Sequence, residues 1–302
     1  MAKPDGDTKA VLRDLNANQA LTNGDPDIAV VRRAYDEVFA AWTAPPARQT
    51  NETWVASCGM SENHQALVIE PVKGALDAGA VVFIHGGGWS LGTALCYARL
   101  GRWVCAETGR RVIVPDFPQA PESPAPAAYD ALSGLLAWAA SQYGQEISLM
   151  GDSAGGNLAA VLSNHPPSGL RIQKQVLLYP VLDLRPDTNY PSRKKFGRGR
   201  HFLTAEGIVG AAMQYCAETG DPNSPLISPG LETDFRETPP TTILIPEFDP
   251  LRDECLAYAE RLRANEIETQ VIWAKGTIHG CASFNGRIRS GKEAMLSACK
   301  IL

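Results

Sequence analysis

The sequence contains no pair of closely spaced cysteines. Its seven cysteines are an odd number, they are scattered along the chain, and none belongs to a C-x-x-C motif. Disulfide-stapled folds and zinc sites depend on regular cysteine spacing, whereas scattered thiols are typical of reduced cytosolic proteins. No cluster of His, Asp, Glu and Cys has the spacing of metal ligands either. The sequence therefore predicts a protein with no metal and no cofactor.

Long apolar runs are absent as well. None approaches the roughly 20 residues that a membrane-spanning helix needs, and the N-terminal stretch MAKPDGDTKAVLRDLN lacks the apolar core of a signal peptide. The net charge is only −5, without a broadly basic face, which argues against nucleic acid. We expect a soluble cytoplasmic protein whose partner is a small-molecule substrate, not a membrane or a nucleic acid. The choice between a monomer and a homodimer stays open.

What is present is an alternation of short apolar strands and helical stretches. The predicted strands cover residues 80–84, 111–114, 147–150, 175–179, 241–245 and 269–273, and the predicted helices cover 97–108, 125–143, 153–163 and 253–265. The runs VVFI, VIV and VLLY are apolar at successive positions, as expected for strands buried on both faces. This alternation predicts the α/β class, with a mostly parallel central sheet flanked by helices. Residues 53–57 and 65–70 would add antiparallel strands at one edge.

Two regions interrupt this alternation. Residues 1–50 contain one clear helix, 26–42, with Asp25 as its N-cap and Pro26 at its first position. Residues 185–237 are polar and irregular, with one helix after Thr204, and long excursions of this kind are usually functional lids. Within them, SRKKFGRGRH (192–201) holds five fixed cations. A solvated, mobile loop is the favoured interpretation, and the alternative is that residues 193–200 steer an anionic substrate.

The segment Gly151-Asp152-Ser153-Ala154-Gly155 matches the motif G-x-S-x-G. It follows the apolar strand ISLM and opens a predicted helix. This context is specific, because the motif works as a tight strand-to-helix turn that presents the serine hydroxyl. The start of the helix also directs free N–H groups towards any nearby negative charge. Ser153 is therefore the predicted nucleophile.

A serine hydroxyl needs a neighbouring base. Of the five histidines, His279 follows the end of a predicted strand on the side where Ser153 lies, and ligands bind at the carboxyl ends of parallel strands. The orienting acid should lie between them in chain order. Asp249, which follows the predicted strand 241–245 and precedes the rigid Pro250, fits best. Asp253 is a lesser candidate, because it fits the first turn of a helix.

Three consecutive glycines follow the predicted strand 80–84. Acyl transfer builds an oxyanion that needs N–H donors, and a bare glycine backbone can supply them. We expect Gly87, Gly88 and Ala154 to form the oxyanion hole, with Gly86 as the alternative donor. His85 would then hold the loop in shape.

At these residues the chain resembles the α/β-hydrolase fold, and within it the carboxylesterases similar to hormone-sensitive lipase. The matching segments are HGGG (85–88), GDSAGG (151–156), DPLRDE (249–254) and IHG (278–280), and PDFPQAPE (115–122) is similar to the family's V-D-Y-R-L-A-P-E. The resemblance implies a serine hydrolase that cleaves small carboxylic esters through an acyl-enzyme. It also implies cap helices in residues 1–50, a catalytic domain of residues 51–184 and 238–302, and a cap insertion in residues 185–237.

Some residues depart from the family pattern. Trp89 follows the glycines where Phe or Tyr is more usual, FPQ replaces Y-R-L at 117–119, and Cys281 stands where an aromatic is common. We expect Trp89 and Phe117 to line the substrate pocket. The departures leave amide, formamide and lactone substrates open beside esters. A non-catalytic ligand receptor is less well supported, since receptors of this fold lack the histidine that His279 supplies.

The helix predicted for residues 26–42 carries an apolar stripe at helical spacing. The stripe consists of Ile28, Val31, Tyr35, Val38 and Phe39, and such a stripe has to be buried against another element. We expect it to pack with the helix near 204–215 over the nucleophile, and the alternative is the back of the sheet.

Overall fold

The core of the fold is a twisted sheet between two layers of helices. A computed structural model describes residues 3–18, 21, 27–74 and 79–302. Within them, eight strands pair in the order β1-β2-β4-β3-β5-β6-β7-β8. Their bounds are β1 Thr50–Val55, β2 Ala66–Pro71, β3 Ala80–Ile84, β4 Arg111–Pro115, β5 Ile147–Asp152, β6 Ile172–Leu178, β7 Thr241–Phe248 and β8 Thr269–Ile278. β1 and β2 are antiparallel to their neighbours and the other pairs are parallel, as predicted.

The helices cover both faces of this sheet. In the described residues they are α1 Gly6–Ala17, α2 Ile28–Trp42, α3 Ala94–Thr108, α4 Ala127–Tyr143, α5 Ala154–Asn164, α6 Pro191–Phe196, α7 Ala205–Cys216, α8 Arg252–Ala264 and α9 Arg289–Cys299. On β3, Val82 and Ile84 enter the core formed with α4, α5 and α8, whereas Val81 and Phe83 enter the core formed with α1, α2, α3 and α9. Both faces of the strand are therefore buried, which explains its continuous apolar sequence. No helix in the described part of the chain is long and apolar enough to cross a membrane.

The first long helix starts slightly later than its sequence suggests. α2 begins at Ile28, and the side chain of Asp27 caps it by accepting the N–H of Ala29 at 2.9 Å. Asp25 and Pro26, the predicted N-cap and first helical residue, lie outside the described residues.

The apolar stripe of α2 has more partners than the sequence indicated. Tyr35, Val38 and Phe39 are buried, and part of their cover comes from α3 and from the segment after β8. The ring of Phe39 lies 5.0 Å from that of Phe284, and the Tyr35 hydroxyl lies 2.8 Å from the Tyr97 hydroxyl. Ile28 and Val31, the rest of the stripe, are partly buried and line a cleft with the residues that follow β3 and β5.

The basic segment of residues 193–200 differs from the solvated loop expected for it. Its first part forms α6, and Arg193 is buried, with an ion pair to Glu254 at 2.8 Å and a hydrogen bond to the carbonyl of Asp183 at 2.5 Å. The other cations of the segment are exposed. One of the five charges therefore belongs to the core contact between α6 and α8.

Candidate active site

The predicted nucleophile lies in a tight turn between β5 and α5. Ser153 has φ 53° and ψ −118°, a left-handed conformation that a residue with a side chain rarely adopts. The turn needs small neighbours, because a Cβ on Gly155 would collide with the carbonyl oxygen of Ile84, and one on Gly151 with that of Gly155. The N–H of Ser153 donates to Leu178 at the end of β6. The strained turn is thus held by close backbone packing on both sides.

The structure brings the three residues of the predicted triad together. His279 follows β8 directly, and its Nε2 lies 2.9 Å from Ser153 Oγ. Its Nδ1 lies 2.8 Å from Oδ2 of the fully buried Asp249, whose other oxygen accepts the N–H of Leu251 at 2.8 Å. Because an ionised carboxylate only accepts, Nδ1 carries the proton and Nε2 is free to accept from the serine hydroxyl. This arrangement can activate Ser153 as a nucleophile.

The other predicted candidates for acid and base have different partners. Asp253 accepts the N–H of Ser192 at 2.8 Å and pairs with Arg252 at 2.8 Å, so it ties α8 to α6. The remaining histidines contact other groups: His64 lies 2.7 Å from Ser61 Oγ, His85 lies 2.9 Å from the carbonyl oxygen of Gly86, His165 lies 2.6 Å from Glu232, and the ring of His201 stacks on Phe248.

The glycine loop after β3 lies beside Ser153. Gly87 and Gly88 have φ values of +112° and +60°, and a Cβ on Gly87 would collide with the carbonyl oxygen of Leu91, so glycine is required there. Both residues line the cleft that contains Ser153. The alternative donor Gly86 is excluded from this role, because its N–H already donates to Asp152 Oδ1 at 2.8 Å. Ala154 is the first residue of α5, where backbone N–H groups lack helical partners.

Ser153 and His279 open into a cleft of about 730 Å³. One wall comes from α2, with Ile28, Val31, Tyr35 and Phe39, and a second wall from α7 and the segment before it. The residues of this second wall are Gly199, Phe202, Leu203, Thr204, Glu206, Gly207, Ala211 and Gln214. Part of the apolar stripe of α2 thus lines the same cleft as residues of α7 and Ser153. The sequence predicted that the two helices pack together over the nucleophile, and the structure shows a shared cleft. Phe202 and Leu203 gave no sequence signal, because they lie in an irregular segment.

The expectation that Trp89 and Phe117 line the pocket is wrong. Neither residue lies on the wall of this cleft. Trp89 is 2% exposed and stacks on Tyr215 with ring centroids 4.6 Å apart, whereas Phe117 stacks on His85 at 4.5 Å. Phe117 therefore packs on the residue that precedes the three glycines, whereas Trp89 packs on α7.

Comparisons with known proteins agree with this fold. A family model described as the alpha/beta hydrolase fold matches residues 81–283. The chain is 33% identical over 237 residues to carboxylic ester hydrolase LipN of Mycobacterium tuberculosis, covering 73% of this chain and 62% of LipN. It is 28% identical over 237 residues to an ethyl acetate hydrolase of Pseudomonas putida, covering 76% and 74% of the two chains.

Among solved structures, a hyperthermophilic esterase from the archaeon Pyrobaculum calidifontis superposes with a TM-score of 0.87 at 28% identity, covering 99% of this chain and 97% of that one. The fold is therefore that of an α/β-hydrolase. The chain belongs to the alpha/beta hydrolase fold family, and the resemblance inferred from its motifs is confirmed at that level. The matched region spans less than two thirds of the length of LipN.

Proposed function

We propose that this protein is a carboxylic ester hydrolase in which Ser153 is the nucleophile, His279 the base and Asp249 the acid that orients the base. The observation that carries the proposal is the unbroken hydrogen-bond chain from Ser153 Oγ through His279 to Asp249, at 2.9 and 2.8 Å, on the floor of an open cleft. The names of the relatives, which are ester hydrolases and esterases, favour an ester over an amide or a lactone.

Acylation follows from the positions of these groups. Ser153 Oγ attacks the ester carbonyl carbon while His279 Nε2 takes the hydroxyl proton, and Asp249 stabilises the resulting imidazolium. The negative carbonyl oxygen faces the N–H groups of Gly87, Gly88 and Ala154, each of which typically stabilises the transition state by ~3 kcal/mol. The carbon–oxygen bond to the alcohol then breaks, and the imidazolium returns its proton to the leaving alkoxide.

Deacylation repeats these steps with water. His279 removes a proton from a water molecule that attacks the acyl carbon, and the same donors hold the second oxyanion. Collapse breaks the bond to Ser153 Oγ, which regains the proton, and the carboxylic acid leaves. No group outside the cleft is needed for the proton balance.

The walls of the cleft indicate a neutral substrate with an apolar part. Ile28, Val31 and Phe39 from α2 line it together with Phe202 and Leu203 from the second wall. We propose that residues 1–50 and 185–237 act as the two parts of a cap that limits substrate size, above the catalytic domain of residues 51–184 and 238–302.

A sulfonyl fluoride or a small alkyl phosphonate tests the nucleophile. We expect stoichiometric labelling of Ser153, located by peptide mass spectrometry, and loss of hydrolysis in Ser153→Ala with an unchanged melting temperature. A panel of p-nitrophenyl esters and matched anilides then separates ester from amide hydrolysis. Labelling at another residue, or none in the folded protein, would overturn the proposal.

A further inference from the structure

A second buried carboxylate lies directly beside the nucleophile and is not part of the chain to His279. Asp152, the last residue of β5, is 1% exposed, and its Oδ1 accepts the N–H of Gly86 at 2.8 Å. A Cβ on Gly86 would lie 2.8 Å from the other carboxylate oxygen, so the glycine loop is pressed against Asp152. Gly86 is followed at once by Gly87 and Gly88, the two proposed oxyanion donors of that loop.

Two tyrosine hydroxyls extend this contact towards α2. Tyr97 of α3 donates to Asp152 Oδ2 at 3.1 Å, and the Tyr35 hydroxyl lies 2.8 Å from that of Tyr97. Both tyrosines are buried. Because an ionised carboxylate only accepts, the Tyr97 proton points to Asp152 and the Tyr35 proton points to the Tyr97 oxygen. The hydrogen bonds therefore converge on Asp152, which accepts from the tyrosines on one side and from the N–H of Gly86 in the glycine loop on the other.

The charge of Asp152 depends on these contacts. Burial raises the pKa of Asp152 to about 6, and the N–H of Gly86 and the hydroxyl of Tyr97 both act to lower it. The titratable groups that interact with it are Tyr35, Tyr97, Tyr179, Cys96, Cys281 and His279. Burial raises the pKa of each of these tyrosines and cysteines, so they stay neutral.

We propose that Tyr97, with Tyr35 behind it, is a positioning residue for the oxyanion loop. Its hydroxyl holds the Asp152 carboxylate against the N–H of Gly86 and so fixes the direction of the next two backbone N–H groups. The inference rests on the proposed function, because the loop must stabilise an oxyanion for its direction to matter. Tyr35 also lines the cleft, so a substrate bound there can contact the outer end of this chain.

Tyr97→Phe tests the proposal, because it keeps the ring and removes the hydroxyl. We expect kcat for a p-nitrophenyl ester to fall about three- to tenfold, the loss of one net hydrogen bond, with KM changed by less than about twofold. The acid limb of the kcat profile should move to higher pH, because the pKa of Asp152 rises when a stabilising donor is lost. Tyr35→Phe should shift the same limb in the same direction by less.

The matched control is Tyr129→Phe, which removes a tyrosine hydroxyl bonded to the carbonyl of His165 at 2.9 Å, away from the loop. It should keep the wild-type kcat and acid limb. A Tyr97→Phe protein that lowers only the melting temperature and keeps the wild-type acid limb would overturn the inference. If Tyr97→Phe does not fold, an unshifted acid limb in Tyr35→Phe would do so.

A wild-type protein that hydrolyses no ester and is not labelled at Ser153 would remove the proposed function and this inference with it. An active, labelled wild type combined with an unaffected Tyr97→Phe variant would remove the inference alone. The two failures are therefore distinguishable in one set of measurements.

Discussion

Asp249→Asn is the sharpest single test of the proposed triad. The carboxylate of Asp249 accepts two hydrogen bonds at 2.8 Å, one from His279 Nδ1 and one from the backbone N–H of Leu251. An asparagine has one oxygen and one NH₂ group, so it cannot accept both. The backbone N–H of Leu251 can only donate a hydrogen bond. We therefore expect the amide oxygen to stay with Leu251 and the NH₂ group to face His279.

This change forces the imidazole into the wrong tautomer. His279 Nδ1 must then accept, its proton moves to Nε2, and Nε2 can no longer take the proton of Ser153 at 2.9 Å. The equivalent change in a serine protease lowers kcat by about 10⁴, which corresponds to about 5 kcal/mol in the activation free energy. We expect a loss of about 10³ to 10⁴ here, with a nearly unchanged far-UV spectrum.

The assay is steady-state hydrolysis of the best p-nitrophenyl ester, measured beside thermal unfolding. Asp253→Asn is the matched control, because it makes the same chemical change at a half-buried carboxylate that contacts Ser192 and Arg252. It should lower the unfolding free energy by ~1 kcal/mol and leave kcat within about twofold. The reverse pattern, with Asp253→Asn inactive and Asp249→Asn active, would refute the assignment.

Two further predictions concern stability. Arg193→Met leaves the carboxylate of Glu254 buried without its partner, so urea unfolding should show an unfolding free energy lower by about 3–5 kcal/mol. The control Lys194→Met, at an exposed position, should change it by less than about 0.5 kcal/mol. Equal effects of the two variants would contradict the buried pair. A hydrogen bond from Arg32 lowers the pKa of Glu122 from 4.5 to about 2, so this stabilisation is present above pH 4.5 and is lost as the pH falls towards 2. Arg32→Met should weaken that acid-dependent drop in melting temperature, and identical profiles would contradict the prediction.

The sequence predicted the sheet and its functional end because both depend on local patterns. Strands such as β3 are apolar at every position since each face enters a different core. The turn at Ser153 is visible because its close backbone contacts admit only small neighbours. His279 and Asp249 follow from chain order and from the convergence of parallel strands at one edge.

What the sequence missed depends on contacts between distant segments. Whether Trp89 faces the cleft or the core is decided by Tyr215, more than a hundred residues later, and the ring stacks there. The sequence does not distinguish Gly86 from Gly87 and Gly88 as an oxyanion donor. Only the structure shows that the N–H of Gly86 already donates to Asp152. Arg193 stands in a run of cations, and only the approach of α8 shows that it is paired and buried. These are tertiary contacts between residues far apart in the chain, so no short stretch of sequence predicts them.

The wall of the cleft that α2 forms gives the last prediction. Removal of the N-terminal region would be a poor test, because Val11, Leu15 and Tyr35 belong to the core on one face of the sheet and their loss would destabilise the fold. Val31 is better placed, since it lines the cleft and is only partly buried. Val31→Trp should fill space in the cleft and discriminate against long acyl chains. We expect the ratio of kcat/KM for p-nitrophenyl octanoate over acetate to fall by about tenfold or more, because even one methylene group in an apolar pocket changes kcat/KM by about that factor.

Arg33→Trp is the control, because it adds the same ring to the exposed face of the same helix. It should leave the chain-length ratio unchanged, and both variants should keep a reactive Ser153 towards a small phosphonate, since neither touches the hydrogen-bond chain to His279. If Val31→Trp lowers the melting temperature but leaves the octanoate-to-acetate ratio equal to that of Arg33→Trp, then α2 supports the fold without limiting the substrate. The cap role proposed for residues 1–50 would then be wrong, whereas the triad would be unaffected.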